Sequence, residues 1–193
     1  MKELLQPLFV AIAILLAGAV VYHFVFGADA SPGVIIESVT GVVEREGSDG
    51  RHVAEVGTRL DLDERLVVGE ASQADLAFGE NTRLTLQAQS SLRVLGANVS
   101  GLSVELENGR VQATVRPGGA VLGVSSGDRT VVAEDARFSL GVGQADLMGL
   151  EVRGGSVSVE GVDGVDALES GKRILVAGDV VAVNGAIPAR LLL

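Results

Sequence analysis

Two acidic runs, one serine-rich stretch and one histidine are where this sequence could do chemistry. Asp61-Leu62-Asp63-Glu64 and Asp163-Gly164-Val165-Asp166 gather carboxylates, the oxygen ligands that a hard cation such as calcium takes. Neither run follows the ligand order of an EF-hand loop or the glycine-rich nonapeptide of calcium-binding β-rolls, so both read as solvated loops. Ser125-Ser126-Gly127-Asp128 offers hydroxyls and a carboxylate, but a nucleophilic serine needs a base in reach and none is at hand. It reads as a turn. His52, the only histidine outside the N-terminal apolar stretch, stands near Arg51 and Glu55. It has no second histidine or cysteine beside it and reads as an exposed strand edge, not a metal ligand. Gly118-Gly119 and Gly154-Gly155 are not phosphate loops, because no lysine and no helix start follows them. The expectation is a non-enzyme with no catalytic residue, metal or cofactor.

Composition narrows the partners. The chain has no cysteine, which removes disulfides, thiol catalysis and zinc–thiolate sites. Lys2 and Glu3 offset each other, so the whole net charge of −10 lies beyond the apolar stretch. An acidic surface repels phosphate backbones, which argues against nucleic acid. Outside that stretch the only aromatic residues are Phe78 and Phe138, too few to stack bases or sugars.

The stretch itself, Leu8–Phe26, holds 19 residues without Asp, Glu, Lys or Arg. As a helix it would be about 29 Å long, close to the hydrocarbon thickness of a bilayer. Tyr22, His23, Phe24 and Phe26 gather at its far end as an interfacial belt would. It is read as a single transmembrane anchor of the inner membrane. Lys2 precedes the span and the next basic residue after it is Arg45, so the Lys/Arg bias places residues 1–7 in the cytoplasm and the main domain in the periplasm. Ala28-Asp29-Ala30 has the small residues of a signal-peptidase site, but the apolar run is too long for a signal h-region and the anchor is expected to be retained.

Residues 27–33 form a polar linker. From residue 34 to 183 the chain shows short period-two apolar alternations broken by glycine, and no helical period. Val39–Val43 is a first strand, Gly47-Ser48-Asp49-Gly50 a turn, and His52–Val56, Thr58–Leu62 and Arg65–Val68 short strands. Ala74–Phe78 and Thr82–Leu86 form a hairpin about Gly79-Glu80-Asn81, with Leu76, Phe78, Leu84 and Leu86 on one face. Leu102–Leu106 and Val111–Val115 read as a second hairpin about Glu107-Asn108-Gly109, and Leu150–Val152 and Val157–Val159 as a third about Arg153-Gly154-Gly155. Phe138–Leu140, Ile174–Val176 and Val181–Val183 add strands, and Leu106, Phe138 and Val152 join the expected core. The fold class is all-β. Gly79, Gly109 and Gly155 lie 30 and then 46 residues apart, so a regular solenoid is out. An irregular roll and a sandwich both satisfy the pattern.

Residues 184–193 form an apolar tail. Ile187, Leu191, Leu192 and Leu193 are candidate partner-binding residues, since such a tail in water invites association and Pro188 blocks regular central pairing.

Gly41-Val42-Val43, Val56-Gly57-Thr58-x-Leu60 and Leu66–Phe78 together resemble the opening of a FecR domain. The resemblance continues through Leu106–Val111, Val152–Val159 and Leu168–Gly171, over roughly residues 34–180. Asp135-Ala136 stands where the family usually has Gly-Thr. The resemblance implies a FecR-like β fold and an envelope location. Transmembrane regulators of the family hold a sigma factor with a helical cytoplasmic segment, and about seven residues before the span are too few for the ~800 Å² per partner of a stable interface. The expected role is therefore a non-catalytic sensor or scaffold that recognises another envelope protein or complex. An envelope hydrolase or carbohydrate-binding protein is the alternative from another class.

Overall fold

The computed structural model describes residues 33–144, 147–178 and 180–184. The anchor, its proposed cleavage site and the tail with Ile187, Leu191, Leu192 and Leu193 lie outside the described residues. Among the described residues there is no helix, and so none that could cross a membrane.

The strands run β1 (Val34–Thr40), β2 (Val43–Gly47), β3 (Gly50–Val53), β4 (Arg59–Leu60), β5 (Arg65–Val68), β6 (Gln73–Phe78), β7 (Thr82–Leu86) and β8 (Ser90–Asn98). They continue with β9 (Gly101–Val115), β10 (Val121–Ser126), β11 (Arg129–Ala133), β12 (Ala136–Val142), β13 (Leu147–Glu160), β14 (Ala167–Glu169), β15 (Arg173–Ala177) and β16 (Val180–Val183). The first sheet has the order β4-β1-β6-β7-β9-β12-β13-β15-β16. The second has the order β3-β2-β5-β8-β9-β10-β11-β13-β14. Every pair is antiparallel except β9 with β10.

The period-two pattern holds. Leu76, Phe78, Leu84, Leu86, Leu106, Phe138 and Val152 are all buried in one apolar core. A fully buried side chain of this kind contributes roughly 1.5–3 kcal/mol. The hairpin of β6 and β7 reverses at Gly79, with Phe78 opposite Thr82.

The other two expected hairpins do not form. Residues 101–115 make one unbroken strand, and so do residues 147–160. The first half of β9 pairs with β8 and β10 in the second sheet, and its second half with β7 and β12 in the first. β13 does the same in the opposite order. Gly109 (φ 87) and Gly155 (φ 72) are therefore corners where a strand bends from one sheet into the other. A Cβ on Gly109 would lie 2.5 Å from Ser90 Cα, and one on Gly155 would lie 2.0 Å from the Asp135 carbonyl oxygen. Only glycine fits such an approach. At both corners the buried register slips by one, from Leu106 to Val111 and from Val152 to Val157, which keeps each strand's apolar side on the core.

The expected first strand Val39–Val43 is likewise broken. Its residues belong to β1 and β2, and the chain turns between them at Gly41 (φ 78). Buried serines tie two of the three corners. Ser90 Oγ accepts from Arg110 N at 2.8 Å beside Gly109, and Ser72 Oγ accepts from Val42 N at 2.9 Å beside Gly41. His52–Val56 and Thr58–Leu62 shrink to β3 and the two-residue β4.

Because β9 and β13 each serve both sheets, the pairs β9–β12, β12–β13, β13–β11, β11–β10 and β10–β9 close a ring. The architecture is thus two sheets joined through a closed five-strand barrel at the centre, closed where the sequence pattern suggested an open roll.

Candidate functional site

The outward side of the second sheet carries its polar residues in register. Arg51, Glu46, Arg65, Arg93 and Glu105 stand opposite one another across β3, β2, β5, β8 and β9. Opposite charges meet along the row except at Arg65 and Arg93, which stand opposite each other and share Glu107. Arg51 pairs with Glu46, and Arg65 reaches Glu46 at 3.3 Å and Glu107 at 2.9 Å. Arg93 donates to Glu107 at 2.5 Å and lies 3.9 Å from Glu105. Ser91 Oγ completes the shell of Glu107 at 2.9 Å. Burial pushes the Glu107 carboxyl up, but hydrogen bonds from Arg93 and Ser91 and the nearby charges of Arg65 and Arg93 outweigh it. The net effect holds this carboxyl below its ordinary range.

The acidic run at 61–64 is not wholly solvated, contrary to expectation. Glu64 is only 7% exposed. Its Oε1 accepts from Arg45 Nη1 at 2.7 Å and its Oε2 from Asp61 N at 2.9 Å. It ties the loop down because Arg45 points to the same side of β2 as buried Val43. Asp163 and Asp166 are exposed on a loop pinned by buried Val162 and Val165. Among the described residues no group of three or more His, Cys, Asp or Glu is placed to hold a metal ion. Of the serine run read as a turn, only Gly127-Asp128 turns; Ser125 and Ser126 belong to β10 and pair with Thr130 and Arg129. His52 lies on edge strand β3, with Nε2 3.3 Å from an Asp49 carboxylate oxygen.

The first sheet carries a different surface. Where β9 ends and β12 begins, beside the Gly155 corner of β13, an open cleft of about 570 Å³ is lined by Arg116, Pro117, Asp135, Arg137 and Gly154 among others. Arg116 is held at its backbone, where its N–H donates to Asn81 O at 3.0 Å and its carbonyl accepts from Gly119 N at 3.1 Å. Pro117 further restricts it to extended conformations. Arg137 lies on β12, paired on both sides through Thr114 and Gly154. Both side chains are exposed, and among the described residues neither has an ion pair or a side-chain hydrogen bond. Sequence reasoning missed both, since two arginines 21 residues apart carry no local signal.

Exposed apolar side chains are scattered, with Val99 open to 83% and Val180 and Val183 exposed on β16. Val53 on β3 is 75% exposed, and Val42, Val56 and Leu62 are also open to solvent. β3 pairs only with β2, leaving its other side unpaired among the described residues.

The model of the family described as FecR protein matches residues 64–160, and the chain belongs to that family. Two crystal structures of a candidate anti-sigma factor from Parabacteroides distasonis ATCC 8503, at 1.65 and 2.50 Å resolution, share the fold with a TM-score of 0.55 and 22% identity. The match covers 62% of this chain and 58% of that one, so the likeness spans less than two thirds of the neighbour's length. No curated protein matches the chain.

Proposed function

We propose that this protein is a membrane-anchored regulatory component of the cell envelope. Its FecR domain acts in the periplasm as a non-catalytic sensor or scaffold that binds another envelope protein. The observation that carries the reading is the edge at β3, a strand paired on one side only among the described residues and carrying exposed Val53. Unpaired edges are where an extended partner segment adds by main-chain hydrogen bonds, and a long-lived exposed edge is otherwise a hazard. Family membership and a neighbour described as a candidate anti-sigma factor support regulation as the context. The apolar tail, with Ile187, Leu191, Leu192 and Leu193, is proposed as a second docking element.

The test uses the full-length protein in its own membrane. It should stay in the membrane fraction after carbonate washing, with residues 34–193 open to protease only from the periplasmic face. A photo-crosslinker at position 53 should give one discrete adduct, and one at the interior-sheet position Thr85 none. A mature N-terminus at Ser31 would overturn the anchor, and equal crosslinking from both positions would overturn the edge as a docking site. Deleting residues 187–193 should leave the melting temperature unchanged and lower adduct yield. A fall of several degrees with full yield would mean that the tail only packs on its own domain.

A further inference from the structure

We propose that the cleft at Arg116 and Arg137 is a binding site for a carboxylate-bearing peptide, an Asp/Glu-rich segment of the partner protein. This rests on reading the domain as a partner-recognising module and names the chemistry of one contact. The argument starts from charge. In a chain of net −10, most arginines of the roll are already engaged with acids, Arg45, Arg51, Arg65, Arg83, Arg93 and Arg153 among them. Arg116 and Arg137 are not, although they line one cleft and stand on backbone fixed from both sides. A guanidinium presents a planar fork of donors that fits a carboxylate bidentately, and a fixed base lowers the ordering cost of forming the pair.

Arg137 lies over Gly154, with Cβ and Nε each 3.8 Å from where a Gly154 Cβ would be, so the missing side chain lets the arginine lie along the sheet. A volume near 570 Å³ falls within the usual range of ligand pockets and accommodates a few side chains. An anionic lipid surface meets the acidity of the whole domain, whereas a short peptide meets chiefly the cleft. Two local cations still dominate within the roughly 8 Å screening length at physiological salt. Asp135 lines the same cleft and opposes an anion, which gives the proposal a test of opposite sign.

The experiment titrates fluorescein-labelled hexaglutamate into the full-length protein in dodecyl maltoside micelles at low salt, read by anisotropy. Saturable binding is expected, weakened at least tenfold by Arg137→Gln and by Arg116→Gln, and tightened several-fold by Asp135→Asn. Arg110→Gln is the control. It removes the same charge from an exposed arginine on the same sheet, one that lies over Gly141 and away from the cleft, and should change affinity less than twofold. Equal weakening by Arg110→Gln would reduce the effect to bulk electrostatics and overturn the site, as would unsaturable binding or an unchanged Arg137→Gln. Binding to phosphatidylglycerol vesicles in place of the peptide would overturn it too. Crosslinking from position 53 tests the broader reading separately, so a failed cleft and a failed partner role remain distinguishable.

Discussion

Gly79-Glu80-Asn81 and Glu107-Asn108-Gly109 contain the same three residue types in rotated order, between apolar alternations of the same length. One reverses the chain and the other does not. At Gly79 (φ 59) the space beyond the Cα is empty for 4 Å, as expected of a turn exposed to water. At Gly109 (φ 87) it is filled by the backbone of Gln89 and Ser90. Positive φ is common to both, so glycine's tolerance of that region does not decide between turn and corner. What decides is whether another strand end sits against the glycine. That is a property of the chain some 20 residues away, not of the tripeptide.

The sharpest test of this contrast is Gly155→Ala. Its Cβ would collide with the Asp135 carbonyl and press on Ala136 Cα, both backbone, on top of the penalty for positive φ. A loss of about 3–5 kcal/mol is expected, enough to lower the melting temperature of a domain this size by about 10 °C or more. Gly109→Ala should follow at about 2–4 kcal/mol. Its clash is with Ser90 and Gln89, and part of it falls on a serine hydroxyl that can rotate. If either substitution cost under 1 kcal/mol, the corners would be ordinary turns.

Glu107→Gln probes the charged side of the Gly109 corner. The Glu107 carboxyl is held below its ordinary value, so the unfolded chain binds a proton there at a higher pH than the folded one does. Its stabilisation is present above the ordinary glutamate pKa of about 4.3 and is lost as pH falls through the lower folded value. The variant should therefore cost about 1 kcal/mol near pH 7 and show a shallower fall of melting temperature from pH 5 downward. Parallel acid profiles for the variant and the native chain would remove Glu107 from the account. The smallest effect belongs to Gly79→Ala, where only the left-handed conformation is at stake, about 1 kcal/mol by melting. A loss as large as that at Gly155 would erase the distinction between turn and corner.

Much of the fold was legible because burial imposes a period of two on a strand, and the inward set Leu76, Phe78, Leu106, Phe138 and Val152 follows from it directly. The corners were not legible. Four residues separate Leu106 from Val111 and Val152 from Val157, a spacing that suits a four-residue loop as well as a bulged strand. The candidate surfaces were less accessible still. Glu107, Arg65 and Arg93 come from three strands and meet only through register, and Glu64 looked like loop acid until Arg45 was found on the inner side of β2. Arg116 and Arg137 meet only because β9 and β12 end together.

Strands β9 and β13 belong to both sheets at once, and this dictates how the domain can come apart. Neither sheet can peel away without breaking ladders in the other, so amides at the centres of these two strands should exchange with solvent only when the whole domain unfolds. Those of β3 and β16, each paired on one side among the described residues, should exchange by fraying, orders of magnitude faster. The roll then behaves as a locked frame with two loose hems, and the hem at β3 is free to trade its solvent contacts for a partner's without disturbing the frame.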